Sequence, residues 1–152
     1  MKYIISLLLL TFLISSAMIQ QKPKQVKMNH SKIVKVKKQI VENQLLADSG
    51  KIIYETYCLA CHQEDGSGVP GMNPPVGKTD WVLGDSTRLI NVILKGLKDA
   101  EINGDTYSNE MPSHDFLTDK QISEVLTYVR KSFGNNAGAI SVEDVKKQRA
   151  KK

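Results

Sequence analysis

The sequence predicts an all-α fold in which three main helices are joined by long loops. Three apolar stretches have the residue spacing of a helix, and each follows a polar residue that can cap a helix N-terminus. The segments between them are rich in glycine and proline, which break helices and strands. No two segments have the alternating pattern that predicts a pair of strands.

Each predicted helix has a capping residue and an apolar face. The third helix has the clearest start, because Thr118 and Gln121 fit a capping box, and Gly134 ends it. The capping residues are Ser49 for the first helix, Asp85 or Ser86 for the second and Thr118 for the third. The apolar faces contain Ile52, Ile53, Tyr54 and Tyr57, then Leu89, Ile90, Ile93, Leu94 and Leu97, then Ile122, Val125, Leu126 and Val129.

Two long loops separate these helices. Residues 63–80 contain seven glycines and prolines, and residues 98–117 contain Gly104 and Pro112. A long irregular segment in a compact domain usually has a function or wraps a ligand. A domain of roughly 90–100 residues also buries only a small core, so a large apolar cofactor would help to fill it.

The N-terminal residues are typical of an export signal. Lys2 precedes an apolar run at residues 4–14, and small residues follow at 15–17. This run is short for a bilayer span, so we expect a signal peptide at 1–17 and a mature chain that starts near Met18 outside the cytoplasm. An uncleaved anchor is the alternative. The remaining predicted regions are a basic linker at 18–47, a folded domain at 48–136 and a basic C-terminal tail at 137–152.

Charge is unevenly distributed between these regions. Residues 1–47 contain eight lysines and one glutamate, and residues 137–152 contain five basic and two acidic residues. Because the whole chain has a net charge of +5, residues 48–136 have a net charge of −5. A nucleic-acid-binding protein needs basic residues on its folded part, so we expect no nucleic-acid partner. The linker, whose periodicity fits a helix or a strand, could make peripheral contact with an anionic membrane or remain solvated.

The motif Cys58-Leu59-Ala60-Cys61-His62 contains residue types that attach or bind a cofactor. Two cysteines three residues apart, followed directly by histidine, are typical of covalent attachment of c-type haem. Both thiols lie on one helical turn and can add to the two haem vinyl groups, while His62 can bind the iron. A Cys58–Cys61 disulfide, a thioredoxin-like redox pair and a zinc site are alternatives. The redox pair lacks a βαβ context, and zinc lacks further ligands.

A haem iron bound by His62 has a further axial position, and four residues could occupy it. Met111 is favoured, because it lies in a loop before the last helix and Pro112 stiffens the backbone beside it. Met72 follows His62 by only ten residues, which is a short path to the opposite face of a haem. His114 is the main rival, and His30 lies in the linker.

Residues 50–134 resemble a class I mono-haem bacterial cytochrome c. The matching motifs are Cys58-Leu59-Ala60-Cys61-His62, Gly66-Ser67-Gly68, Pro70-Gly71, Asn73-Pro74-Pro75-Val76, Asp80-Trp81-Val82, Arg88-Leu89-Ile90, Gly104, Tyr107, Met111-Pro112 and Leu126-Thr127-Tyr128-Val129-Arg130. The resemblance implies a small cytochrome c fold around one haem c, bound covalently through Cys58 and Cys61. It implies that the carbonyl of Pro74 or Pro75 accepts a hydrogen bond from the iron-binding histidine. It also offers Trp81, Tyr107 and Tyr128 as haem-pocket aromatics, although ordinary core packing fits them equally.

These expectations together predict an electron-transfer protein and not an enzyme. With His62 and Met111 both on the iron, no position stays open for oxygen or peroxide. We expect a periplasmic carrier between a dehydrogenase or respiratory complex and a terminal oxidase or reductase. The alternatives are a haem-bearing subunit of a quinoprotein dehydrogenase or oxidase, and a ligand-binding haem enzyme or sensor if Met111 does not bind the iron.

Overall fold

The computed structural model describes residues 30–151, so the predicted signal peptide and the first part of the linker lie outside the described residues. Within that range the chain forms six helices and one short hairpin. In chain order these are α1 His30–Tyr57, α2 Leu59–His62, α3 Asp80–Leu83, α4 Ser86–Lys95, β1 Glu101–Ile102, β2 Asp105–Thr106, α5 Asp119–Lys131 and α6 Val142–Arg149. The predicted all-α class, with long loops between helices, is confirmed.

Two of the predicted helix starts are confirmed by their capping contacts. The side chain of Asp85 accepts a hydrogen bond from the backbone N–H of Thr87 and caps α4. Thr118 and Gln121 form the capping box of α5, in which each side chain bonds the other residue's backbone N–H. Such caps satisfy N–H groups that have no partner within the helix, and this fixes where the helix begins.

The predicted start of the first helix at Ser49 is wrong, because α1 begins at His30 and Ser49 lies in its interior. No glycine or proline occurs between residues 30 and 49, so nothing in the backbone interrupts the helix. Residues 34–45 are exposed, whereas Gly50, Ile53 and Tyr54 are buried. Helix α1 therefore has a solvated first half and a packed second half.

Helix α1 packs against α5 at Gly50. A β-carbon at this position would collide with the backbone carbonyl of Glu124 and lie 2.7 Å from Cβ of Tyr128. The absence of a side chain thus lets the two helices approach closely. Next to this crossing, the rings of Tyr54, Tyr128 and Phe133 contact one another with centroids 5.0–5.7 Å apart.

The predicted tail at 137–152 differs from the structure, because most of it packs on the domain. Ile140 is buried and Val145 in α6 is 0% exposed. The carbonyl of Ile140 accepts a hydrogen bond from Ser123 Oγ at 2.7 Å, and that of Gly138 accepts one from Arg130 Nε at 2.7 Å. These apolar residues and carbonyl contacts hold the segment, although the basic composition of its sequence suggested a solvated tail.

The hairpin and the short helix α3 are elements that the sequence analysis did not predict. Strands β1 and β2 pair antiparallel across Asn103 and Gly104, which both have positive φ angles. Asn-Gly favours this kind of two-residue turn, so a local signal was present. Helix α3 is capped by Thr79, whose side chain accepts from the N–H of Val82 at 3.1 Å.

The core lies between α4, α5 and the second half of α1. Its buried residues include Ile53, Tyr54, Val82, Leu89, Ile90, Ile93, Leu94, Leu117, Ile122, Val125, Leu126, Val129, Ile140 and Val145.

No helix among residues 30–151 is both long enough and apolar enough to cross a membrane.

Candidate functional site

An apolar cavity opens between the two long loops and helices α4 and α5. Apolar cavities with a few polar groups are typical sites for a small molecule or cofactor. This cavity is lined by Tyr54, Cys58, His62, Pro74, Pro75, Val76, Thr79, Trp81, Val82, Leu89, Val92, Ile93, Leu97, Ile102, Met111, Val125, Leu126 and Val129. Almost all of these side chains are apolar, so the cavity suits a large apolar group.

A second cavity of about 480 Å³ adjoins the first. Four residues line both cavities, namely Cys58, His62, Pro74 and Met111. The second cavity adds Cys61 to this set, and it is also lined by Tyr57, Asn73, Asn109, Glu110, Pro112 and His114. The structure therefore brings the predicted site residues Cys58, Cys61, His62 and Met111 together in the lining of the second cavity, and three of them also line the first.

The turn formed by α2 places the motif at the cavity wall. The backbone N–H groups of Cys61 and His62 both bond to the carbonyl of Cys58, at 3.2 and 2.9 Å, so the motif makes one helical turn. Neither cysteine belongs to a disulfide. Cys61 is exposed, whereas Cys58 is partly buried, and that burial raises the pKa of its thiol to about 11. Both sulfurs are thus available on the same short turn.

His62 is 9% exposed and is oriented by Pro74. Its Nδ1 donates a hydrogen bond to the carbonyl oxygen of Pro74 at 2.9 Å. The sequence left Pro74 and Pro75 as alternative acceptors for this hydrogen bond, and in the structure the acceptor is Pro74. Burial lowers the pKa of His62 and favours the neutral ring, although the bond to Pro74 opposes this. With a proton fixed on Nδ1, Nε2 is the nitrogen that can bind a metal.

The loop that carries Pro74 depends on Gly68. The N–H of Gly68 bonds to the carbonyl of His62 at 3.0 Å, so the chain folds back over the motif. Gly68 has a φ of +67°, and a β-carbon there would lie 2.5 Å from the carbonyl oxygen of Pro74 and collide with that of Asn73. Only glycine combines this backbone angle with so close an approach, and it thereby brings Pro74 to the imidazole.

Met111 is fixed to the end of α4 by two backbone hydrogen bonds. The N–H of Leu97 donates to the carbonyl of Met111, and the N–H of Met111 donates to the carbonyl of Leu97, each at 2.9 Å. Gly96, which comes directly before Leu97 in the chain, caps the C-terminal end of α4 and has a φ of +78°. Met111 is partly buried and lines both cavities, so its thioether belongs to the same site as His62.

Met72 and His114, the other candidates for the second axial position whose side chains the structure describes, do not line both cavities. Met72 is 47% exposed and lines neither of these two cavities. His114 lines only the second cavity, its Nδ1 donates to the carbonyl of Pro112 at 3.0 Å, and its ring contacts that of Phe116. The side chain of His30 lies outside the described residues. Among the candidates whose side chains the structure describes, only Met111 lines both cavities.

The aromatic residues divide between cavity and core. Trp81 lines the large cavity, donates from Nε1 to the carbonyl of Glu101 at 3.1 Å and stacks under Arg88 at 4.4 Å. Tyr107 and Tyr128 do not line it; Tyr128 packs against the core, which was the alternative that the sequence left open, and Tyr107 lines a smaller cavity beside Met111. Tyr54 lines the large cavity instead and donates from its hydroxyl to the carbonyl of Gln63 at 2.7 Å. In the sequence, the only indication that Tyr54 would line the cavity was its place on the apolar face of the first predicted helix.

The site fits a haem better than a bare metal ion. Among the described residues, no group of three or more His, Cys, Asp or Glu side chains could hold a metal. The site instead combines an apolar interior, two thiols on one turn, one imidazole nitrogen and one thioether. A haem supplies four nitrogen ligands of its own and needs from the protein only axial ligands and apolar contacts.

Comparisons with known proteins agree with this site. Residues 47–133 match the cytochrome c family. The chain is 36% identical over 116 residues to cytochrome c-552 of Thermus thermophilus, an alignment that covers 70% of this chain and 87% of the relative.

Subunits of larger enzymes are also similar. The cytochrome c subunit of a quinone alcohol dehydrogenase from Gluconobacter oxydans (strain 621H) is 34% identical over 105 residues, which cover 67% of this chain and 22% of the subunit. The cytochrome c subunit of a gluconate 2-dehydrogenase from Pantoea cypripedii is 31% identical, over 65% of this chain and 23% of the subunit. The chain thus spans about a fifth of the length of these subunits. By the family match and the fold, this protein is a member of the cytochrome c family of electron carriers, which bind haem c covalently.

Proposed function

We propose that this cytochrome c carries one electron at a time on a haem joined to Cys58 and Cys61, with His62 and Met111 as the axial ligands. The observation that supports this most strongly is that all four residues line the second cavity, and that Cys58, His62 and Met111 also line the large apolar one. When bound, the haem supplies a reversible one-electron couple at its iron. The side chains of this protein attach it, orient it and exclude water from it.

His62 and Met111 have different tasks in this proposal. The bond from His62 to Pro74 holds the imidazole in the tautomer that presents Nε2, and it raises the electron density of the ring. A thioether ligand from Met111 favours the reduced state and raises the reduction potential relative to a second imidazole. With both axial positions occupied, the protein transfers electrons without binding oxygen or peroxide and catalyses no reaction of its own.

The redox partners should dock where the second cavity reaches the surface. Cys61 is exposed there, and the nearby rings of Tyr57 and Phe116 are 44% and 63% exposed. These two rings contact each other with centroids 5.4 Å apart and form a small apolar surface. A small apolar contact suits a short-lived complex. The proposed donor is a dehydrogenase or respiratory complex, and the proposed acceptor is a terminal oxidase or reductase.

A fixed subunit role is the second candidate. It is favoured by the dehydrogenase subunits from Gluconobacter and Pantoea, which share a segment similar to this chain. The chain would then receive electrons only within a stable complex. Mild purification from the native envelope separates the two possibilities, since a carrier elutes alone and a subunit elutes with its dehydrogenase.

We place the protein in the periplasm, where residues 1–17 would direct it. The leader is either removed near Met18 or retained as an anchor, and residues 18–47 make peripheral contact with the membrane. N-terminal sequencing of the protein from the envelope fraction distinguishes a cleaved leader from a retained one.

Carbon monoxide tests the proposed function directly. The visible spectrum of the reduced protein should not change when carbon monoxide is added, because both axial positions are taken. Rapid binding would instead indicate an open iron and a haem enzyme or sensor. A second measurement tests the attachment, since haem should stay with the polypeptide after denaturation if Cys58 and Cys61 hold it.

A further inference from the structure

The first half of α1 presents two different sides to solvent. Its apolar residues Val34, Val36, Ile40, Val41 and Leu45 are each 51–62% exposed. At about 100° of rotation per residue, these five share one half of the helix circumference, which we call the apolar face. The other half carries the polar residues Lys32, Lys35, Lys38, Gln39, Glu42 and Asn43.

The apolar face points away from the packed domain. In the second half of α1, Gly50 and Ile53 are buried, and by helical periodicity they lie on nearly the opposite side from the centre of the apolar face, whereas buried Tyr54 lies in line with its edge. The domain therefore cannot cover this face. Along the helix axis, the exposed residue Asp48 marks the end of the apolar face that is nearer to the packed half of α1.

A partner would also stabilise this segment of helix. Four of the five residues of the apolar face are β-branched and have low helix propensity. Short helices without tertiary contacts are marginal in water. The packed second half of α1 provides a formed helix from which this segment extends, and an external surface that accepts the apolar face would stabilise it further.

Charge indicates what that surface is. Residues 1–41 contain eight lysines and no acidic residue, and Lys37 and Lys38 lie within or beside the apolar face. Lysines in this position extend their ammonium groups toward anionic headgroups while their methylenes stay on apolar surface. A second copy of the helix in parallel register would bring the same lysines together, which opposes that form of self-association.

We propose that residues 32–45 form a basic amphipathic helix that lies on an anionic phospholipid surface through the apolar face. The inference deepens the membrane contact proposed for residues 18–47 and does not depend on the axial ligands of the haem. The folded part as a whole, residues 48–152, has a net charge of −2, so it adds no electrostatic attraction to the same lipids and the contact is left to the helix. The helix thus keeps the haem domain near its membrane partners without a transmembrane segment in the domain.

Flotation with lipid vesicles tests this proposal, with the absorbance of the bound haem as the readout. The haem-loaded full chain should float with vesicles of phosphatidylglycerol and phosphatidylcholine, and much less with phosphatidylcholine alone. Lys37→Gln with Lys38→Gln should weaken binding by about fivefold per lysine. The matched control Lys146→Gln with Lys147→Gln, in exposed positions of α6, should leave it unchanged.

A second pair of variants tests the apolar face. Ile40→Gln, at a position 61% exposed, should weaken binding on the order of tenfold. Leu83→Gln, at an exposed position in α3 and outside α1, should have no effect on vesicle binding. Equal binding to both kinds of vesicle, or binding that neither α1 variant alters, would overturn the proposal. So would a dimer in analytical ultracentrifugation that Ile40→Gln dissociates while vesicle binding is absent. If the proposal of membrane binding fails in this way while carbon monoxide still leaves the spectrum of the same reduced samples unchanged, the proposed redox function stands.

Discussion

A β-carbon on Gly96 would lie 2.5 Å from the carbonyl oxygen of Met111, so the end of α4 and the Met111 loop are in direct backbone contact. The same β-carbon would lie 3.1 Å from the backbone nitrogen of Ser113. Together with the two hydrogen bonds between Leu97 and Met111, this contact fixes the position of the Met111 thioether.

Gly96→Ala should therefore destabilise the haem-loaded protein by about 2–4 kcal/mol, since it adds backbone strain at a φ of +78° and a steric clash. Guanidinium unfolding measures this loss. Gly104→Ala is the matched control, because Gly104 has a φ of +88° but no atom within 4 Å of its β-carbon position. It should cost only about 1–2 kcal/mol. Equal losses for the two variants would show that the contact with Met111 does not matter.

Gly50→Ala should separate α1 from α5. The added methyl group would collide with the carbonyl of Glu124 and with Tyr128, and overpacking of this kind costs about 1–3 kcal/mol. Thermal unfolding should show a lower midpoint. Gly138→Ala serves as the control, because its β-carbon position has no atom within 4 Å. A stability for Gly50→Ala equal to that of the control would contradict the close crossing of the two helices.

Removal of residues 137–152 should destabilise the domain on the order of 3 kcal/mol or more. The truncation deletes buried Ile140 and Val145, and it leaves Ser123 Oγ and Arg130 Nε without the carbonyls that they contact. Denaturant unfolding of the haem-loaded protein measures the effect. Removal of only residues 151–152 is the control and should change stability little. A truncated chain as stable as this control would mean that the segment is a dispensable tail after all.

Cys58→Ser with Cys61→Ser should abolish covalent haem and, with it, stable folding. Without the group that fills it, the apolar side chains that line the cavity lose their contacts and are left facing water. Circular dichroism of the haem-free variant should show loss of most helix. Serine keeps the size of each side chain almost unchanged, so the result reports the haem and not a packing defect. A cooperative helical fold without haem would contradict this account.

Local signals in the sequence were sufficient for much of the fold and for the proposal of the site. The Cys58–His62 motif, the caps at Asp85 and Thr118, and the Met111-Pro112 pair all depend on residues that are neighbours in the chain. Their chemistry can therefore be read without the fold. By contrast, the start of α1 could not be predicted, because the alternation at residues 34–37 fits a strand while the longer spacing of residues 33–45 fits a helix.

Features that depend on tertiary contact were missed. Gly50 and Gly96 are ordinary glycines in the sequence, and only the approach of another backbone explains them. Arg130 matched a family motif, but its role emerges from the structure, where it is buried and donates to the carbonyls of Val82 and Gly138. Asn135 is likewise buried and donates to the carbonyl of Val76 at 2.9 Å, which holds the proline loop against α5.

We propose that Met111 completes the coordination of a haem bound by His62, and an equilibrium redox titration of variants distinguishes this ligand from the alternatives. Met111→Ala should keep covalent haem but lower the reduction potential by on the order of 100 mV, since axial ligands set haem potentials over a range of about 0.8 V. Met72→Ala, at an exposed position outside the site, is the control and should leave the potential unchanged. An unchanged potential for Met111→Ala, or a fall in potential for Met72→Ala alone, would contradict the account.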